Sequence, residues 1–138
     1  LLSFLEFLFF LDPRAFLRAG ATCGDKAELA PADVVALFQA GVDGMQQRGK
    51  AALGDKTMMD AWLPAVDAMR MALEGGGDLR AILDQGVAAA EAGAEATKSM
   101  AARKGRASYI GDRSLGHPDP GAVAVHLMLQ AAAETWLP

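Results

Sequence analysis

In PADVVALFQAGVDGMQQRGK, residues 31–50, apolar side chains return at Val34, Val35, Phe38, Val42 and Met45. Steps of three and four residues put them on one face of a helix, so the spacing predicts an amphipathic helix over 31–48. Pro31 suits its first turn, where the missing N–H does no harm. Gly49 suits its end, because glycine readily takes the left-handed cap conformation. Upstream, ATCGDKAELA at 21–30 reads as a polar connection. Downstream, Asp55 or Thr57 can cap a second helix whose apolar face is Met59, Trp62, Leu63, Val66, Met69 and Leu73. Pro64 falls inside that face and predicts a kink or the start of a new segment. Gly75, Gly76 and Gly77 make a turn. The stretch from Asp78 to about Arg103 is rich in alanine, the best helix former, and its small side chains let neighbouring helices approach closely. After Asp119 a final helix carries Val123, Leu127 and Ala131, with Val125, Met128 and Leu129, and is expected to be mostly buried. No segment alternates with period two, so no sheet is expected. The fold class is all-α: an antiparallel, up-and-down helical bundle or barrel, as one domain over 1–138.

The bulk properties agree with a single helical domain. The chain has 138 residues, enough for one real core. Its formal net charge of −4 argues against a general nucleic-acid binder, which carries a basic face. Cys23 is the only cysteine, so no intrachain disulfide forms and a reducing, cytoplasmic location is expected. Nothing beside Cys23 would activate it as a nucleophile. The apolar run Leu1–Leu11 is too short to span a bilayer and carries Glu6, so no membrane partner is expected. It reads instead as a buried helix interrupted near Asp12-Pro13. With no basic leader and no initiating methionine, it does not read as a signal peptide, and the chain is expected to be the N-terminally incomplete part of a longer protein.

The chemistry concentrates late in the chain. GMQQRGK, residues 44–50, satisfies the first part of a Walker pattern, but Ala51 stands where a serine or threonine must hold magnesium, and the run closes a helix rather than following a strand. GRASYIGDRSLGHPDPGA, residues 105–122, is a different matter. Asp119-Pro120-Gly121 offers an N-cap, a proline in the first helical turn and a small residue a ligand can approach. Free N–H groups and the helix dipole at such an end favour an anion. Arg106, between Gly105 and Ala107, can make a forked contact to phosphate oxygens. Arg103, Lys104 and Arg113 raise the local potential. On the residues alone, phosphate binding and a merely solvated basic loop both stay open. Lys56 in GDKTM, residues 54–58, reads as a surface charge rather than a catalyst. His117 has no visible orienting carboxylate, and His126 is expected to be satisfied within the last helix, so neither is given a catalytic role.

RGKAALGDKTMMDAWLPAVDAM and ARKGRASYIGDRSLGHPDPGA together resemble the DhaL family, the nucleotide-binding subunit or domain of dihydroxyacetone kinase. The resemblance covers roughly residues 31–135, with two long motifs in the right order. It implies a barrel of antiparallel helices binding an adenine nucleotide, ADP or ATP, and magnesium at one end. It further implies that Gly49 lies against the nucleotide, that Met58 packs on the adenine, and that Arg106 reaches the phosphates as the catalytic residue. Asp119, Pro120 and Gly121 would complete the pocket, so Gly49, Met58 and Asp119 are expected to converge. The family's magnesium-holding aspartates and its Gly-Gly-Ala-Ser-Gly loop do not occur in this sequence, and no metal ligand is assigned here. The implied activity is that of the ADP-binding subunit of a phosphotransferase-system kinase. Such a subunit takes a phosphoryl group from a donor phosphoprotein and passes it to dihydroxyacetone on a partner subunit. Two alternatives stand beside it: the ATP-binding domain of an ATP-dependent dihydroxyacetone or related sugar kinase, and a non-catalytic protein on the same fold that regulates a partner such as a transcription regulator.

Overall fold

The computed structural model describes residues 17, 18, 20–22, 24–26 and 28–136. The helix expected over Leu1–Leu11, its interruption at Asp12-Pro13, and Cys23 lie outside the described residues. Among those described, four long α-helices carry the fold and no strand occurs.

Helix α1 spans Pro31–Gly49. Its first turn is closed by Asp33, whose carboxylate accepts the Ala30 N–H at 3.0 Å and pairs with Lys26. Its buried face contains Val34, Val35, Leu37, Phe38, Val42 and Met45, the expected stripe with Leu37 added. The left-handed cap falls on Lys50 (φ 48°), not on Gly49, which is the last helical residue. Lys50 still donates its N–H to the Gln46 carbonyl at 2.8 Å, and that bond holds the cap in place of glycine's freedom.

Helix α2, Met59–Glu74, runs unbroken through Pro64, so no new segment begins there. Of the two expected caps, Thr57 acts at its start, accepting the Met59 N–H on Oγ1 at 3.2 Å while Asp60 accepts the Gly54 and Thr57 N–H groups; Asp55 accepts the Ala52 N–H instead. Proline at 64 leaves the Asp60 carbonyl without its usual helical partner. Helix α3, Leu79–Ala96, closes over that point. A Cβ added at Gly93 would sit 2.1 Å from the Asp60 carbonyl oxygen, so only glycine allows this approach. Gly86 does the same for Met69, whose Cε lies 2.1 Å from where a Cβ would be. Pairing 93 with 60 and 86 with 69 makes α2 and α3 antiparallel. The turn between them is Gly75–Gly77, with Gly76 at φ 80°, and Asp78 caps α3 by accepting the Ala81 N–H.

Helix α3 stops at Ala96, short of the expected end near Arg103. Thr97–Ser99 tighten into a 3-10 turn, and Met100 is extended (φ −93°, ψ 140°). The alanines continue, but the chain is drawn away by contacts to a distant loop described below. Helix α4, Pro120–Thr135, returns along α3 and buries Ala122, Val125, Leu129, Ala132 and Ala133. Leu127, expected inside, is 57 % exposed, and Ala131 is exposed as well. Helix α4 is apolar nearly all round, so periodicity did not mark which stripe α3 would cover.

Helix α2 sits at the centre, packed against α1, α3 and α4. Trp62, Phe38 and Trp136 join three of these elements: Phe38 lies 5.9 Å from Trp62 and 6.0 Å from Trp136 between ring centroids. The up-and-down arrangement brings the end of α1, the start of α2, the end of α3 and the start of α4 to one end of the bundle.

Candidate functional site

Two loops meet at that end: residues 50–58, between α1 and α2, and residues 97–119, between α3 and α4. Asp55 begins the join. Its backbone carbonyl accepts the N–H groups of Arg103 and Lys104 at 3.0 and 3.4 Å. Its carboxylate accepts the Ala52 N–H at 2.9 Å and lies 3.5 Å from Lys104 Nζ. The Ala52 N–H, then Lys104 and Arg103, hold the Asp55 carboxyl below the usual aspartate range against a smaller opposing effect of burial. Lys104 also donates to the Lys50 carbonyl.

Lys56 completes the join, and it is not the surface charge its setting predicts. It is 2 % exposed, with φ 59°. Its Nζ donates to the carbonyls of Met100, Ser114 and His117 at 3.1, 2.5 and 2.8 Å. An ammonium has three N–H donors, and here all three are used. Asp60 is buried beside this turn and accepts the N–H groups of Gly54 and Thr57 at 2.5 and 2.8 Å.

The start of α4 is built around Asp119. Its N–H donates to Thr97 Oγ1 at 2.8 Å, and Thr97 in turn donates to the Ala94 carbonyl at 2.6 Å. The Asp119 carboxylate accepts the Ala122 N–H at 2.8 Å and is also bonded by the Gly121 N–H. The first-turn donors expected to be free for an anion are therefore occupied by the chain's own carboxylate, and Pro120 has none to give. Burial raises the Asp119 carboxyl above its ordinary range; these two N–H groups oppose the rise, Asp60 adds to it, and Lys56 lowers it.

The structure brings Met58, Asp119 and Gly121 together. A Cβ added at Gly121 would lie 3.0 Å from Asp119 Oδ2 and 3.2 Å from the Met58 Cβ. Gly49 is exposed at the end of α1, and a Cβ there would meet nothing within 4 Å. It stands next to Lys50, which Lys104 ties to the same loop pair. Arg106 is exposed and opens a 3-10 segment, Arg106–Ser114, that bends again at Gly111. Arg103 and Arg113 are exposed on the same segment of chain, as are Tyr109 at 87 %, Ile110 and Leu115. His117 is exposed and contributes its carbonyl rather than its ring. His126 Nδ1 is buried without a hydrogen-bond partner, contrary to the expectation that the ring is satisfied.

Magnesium does not fit the described residues. Among them, no group of three or more histidine, cysteine, aspartate or glutamate side chains is placed to hold a metal ion. Both oxygens of Asp60 are engaged by backbone N–H groups, and Asp119 caps its own helix. No helix among the described residues is long and apolar enough to cross a membrane.

An up-and-down helical fold whose two loop motifs meet at one end defines the class. Residues 13–134 match the DAK2 domain, and the chain belongs to that family. It is 42 % identical over 118 residues to the PEP-dependent dihydroxyacetone kinase ADP-binding subunit DhaL of Escherichia coli (strain K12), covering 86 % of this chain and 56 % of that protein. It is 36 % identical over 119 residues to the PEP-dependent dihydroxyacetone kinase 2 ADP-binding subunit DhaL of Listeria innocua, covering 86 % and 55 %. It is also 48 % identical over 99 residues to the human triokinase/FMN cyclase, covering 72 % of this chain and 17 % of that one. The chain spans about half the length of the bacterial relatives it matches.

Proposed function

We propose that this chain is the ADP-binding subunit, or part of it, of a dihydroxyacetone kinase of the phosphotransferase-system type. In this reading residues 1–138 belong to one nucleotide-binding domain that works in the cytoplasm, and the magnesium ligands come from outside the described residues. The observation that carries it is the meeting of Met58 with Gly121 and Asp119, two motifs far apart in sequence, at the end of the bundle bearing Arg103, Lys104, Arg106 and Arg113. Bound ADP would supply the phosphoryl-carrying group, accepting from a phosphoprotein and donating to dihydroxyacetone on a partner subunit.

The chain's own residues then have simple tasks. Met58 offers a polarisable thioether to the adenine face. Gly121 keeps the start of α4 clear, and Asp119 holds that start rigid. Arg106 makes a forked, charge-assisted contact to phosphate oxygens. Positioning and charge neutralisation are most of what phosphoryl transfer requires of a protein. The identity to the human triokinase/FMN cyclase supports a second reading, the ATP-binding domain of an ATP-dependent kinase.

Calorimetry of the full protein with ADP and magnesium tests the shared part. Measurable heat with saturation is expected, and its absence would favour a purely regulatory protein on the same fold. Turnover of dihydroxyacetone with the partner subunit, driven by the phosphoprotein donor or by free ATP alone, then separates the two kinases.

A further inference from the structure

Among the described residues Lys56 is the one buried cation, and it meets two penalties at once. An ammonium removed from water is costly unless fully paired. A left-handed backbone is unfavourable for any residue with a Cβ. A lysine serving only as surface charge needs neither. The three carbonyls it holds belong to Met100 at one end of the 100–117 segment and to Ser114 and His117 at the other. Two further bonds close the same ring: Ala102 N–H to Ser114 Oγ at 3.3 Å, and Gly116 N–H to the Lys98 carbonyl at 2.8 Å. Arg103, Lys104, Arg106 and Arg113 all lie between the pinned ends.

We propose that Lys56 is the positioning residue for Arg106: its ammonium cross-links the two ends of the arginine-bearing loop and so fixes where the Arg106 guanidinium meets phosphate. The phosphate part rests on the function proposed above. The clamp itself does not.

Lys56→Gly in the full protein is the discriminating variant. Glycine accepts φ 59° more readily than lysine, so the backbone is relaxed while the ammonium and its buried stem are lost. Tryptic cleavage after Arg103, Lys104, Arg106 and Arg113 should accelerate by about tenfold or more as the loop opens locally. ADP affinity should fall by roughly tenfold. n-Butylammonium, which replaces the lost stem and its three donors, should restore both; tetramethylammonium, with no N–H, should restore neither. In an Arg106→Ala background Lys56→Gly should cost much less affinity than in the parent, because the loop has lost the residue it chiefly positions. Parent-like cleavage of Lys56→Gly overturns the clamp. Faster cleavage with fully additive losses in the double variant overturns the positioning role. If the parent itself fails to bind ADP, the function proposal falls, while cleavage and its rescue by butylammonium still decide the clamp. Should Lys56→Gly not fold, Lys56→Met, which keeps the apolar stem, is measured by cleavage, by ADP affinity and in the Arg106→Ala background, without the amine rescue.

Discussion

At the turn end of the bundle, Asp78 caps α3 by accepting the Ala81 N–H at 2.8 Å; at the loop end, Asp119 caps α4 by accepting the Ala122 N–H at the same distance. The local device is identical, yet the surroundings are not. Asp78 is exposed beside three glycines, and its turn needs nothing from the rest of the chain. Asp119 is 8 % exposed, bonded by Thr97 from the end of α3, and close enough to Asp60 for that charge to raise its carboxyl. The turn end joins two helices by the shortest route. The loop end gathers buried polar groups, Lys56, Asp60, Thr97, Ser114 and Asp119, and holds them by hydrogen bonds instead of by apolar packing. Such networks are stable only when every member is satisfied, and here they fix the shape of the loop end.

The comparison can be broken most severely where the loop end rests on the helices. Gly93→Ala places a Cβ against the Asp60 backbone, which cannot swing aside, and should destabilise the protein by about 3 kcal/mol or more in urea unfolding. Gly86→Ala meets the side chain of Met69, which can shift more readily than backbone, and should cost less. Arg106→Ala should leave the melting temperature near that of the parent but weaken ADP binding in calorimetry by about 1.5–3 kcal/mol. Lysine at 106 should rescue only partly, since it lacks the fork. Arg113→Ala should weaken binding less, if it contributes only general potential. Of the two caps, Asp119→Ala should cost about 1–2 kcal/mol and Asp78→Ala nearer 0.5–1 kcal/mol, because only the former leaves buried N–H groups unpaired.

The smallest effect sharpens the contrast most. The raised Asp119 carboxyl means that the folded form binds its proton more tightly than the unfolded chain. Stability from this group is therefore full below the ordinary aspartate value of 3.8 and is lost as pH rises through the raised folded value. Asp119→Asn keeps an acceptor for the cap and removes that titration. Its stability relative to the parent should be highest at neutral pH and should decline as pH falls through the window just above 3.8, by less than about 1 kcal/mol overall. Melting curves of the two proteins between pH 3 and pH 7, roughly the span over which such a carboxyl titrates, check the sign.

The helices were legible because apolar side chains at 34, 35, 38, 42 and 45, and at 59, 62, 66 and 69, recur at a spacing no strand can use. Where the reading slipped, a distant contact overrode a local preference. The alanine tract promises helix past residue 100, but the Met100 carbonyl is needed by Lys56, 44 residues away. Lysine in a polar turn looks like any surface lysine, and backbone carbonyls that will receive it carry no signature in sequence. The proximity of Met58 to Asp119 and Gly121 came from family resemblance, since no periodicity links them. Leu127 and Ala131 were misplaced for a simpler reason: on a helix apolar almost all round, the partner decides the buried face.

The aromatic residues divide along the same line. Trp62 in the helical core and half-buried Trp136 at its edge flank Phe38, whereas Tyr109, the one tyrosine in these 138 residues, projects from the Arg106 segment into solvent. Residues 1–138 thus carry an optical label in each compartment without any dye. Excitation selective for indole reports the integrity of the helices, and phenol emission reports the arginine loop. A change confined to the second signal would mark the loop responding alone.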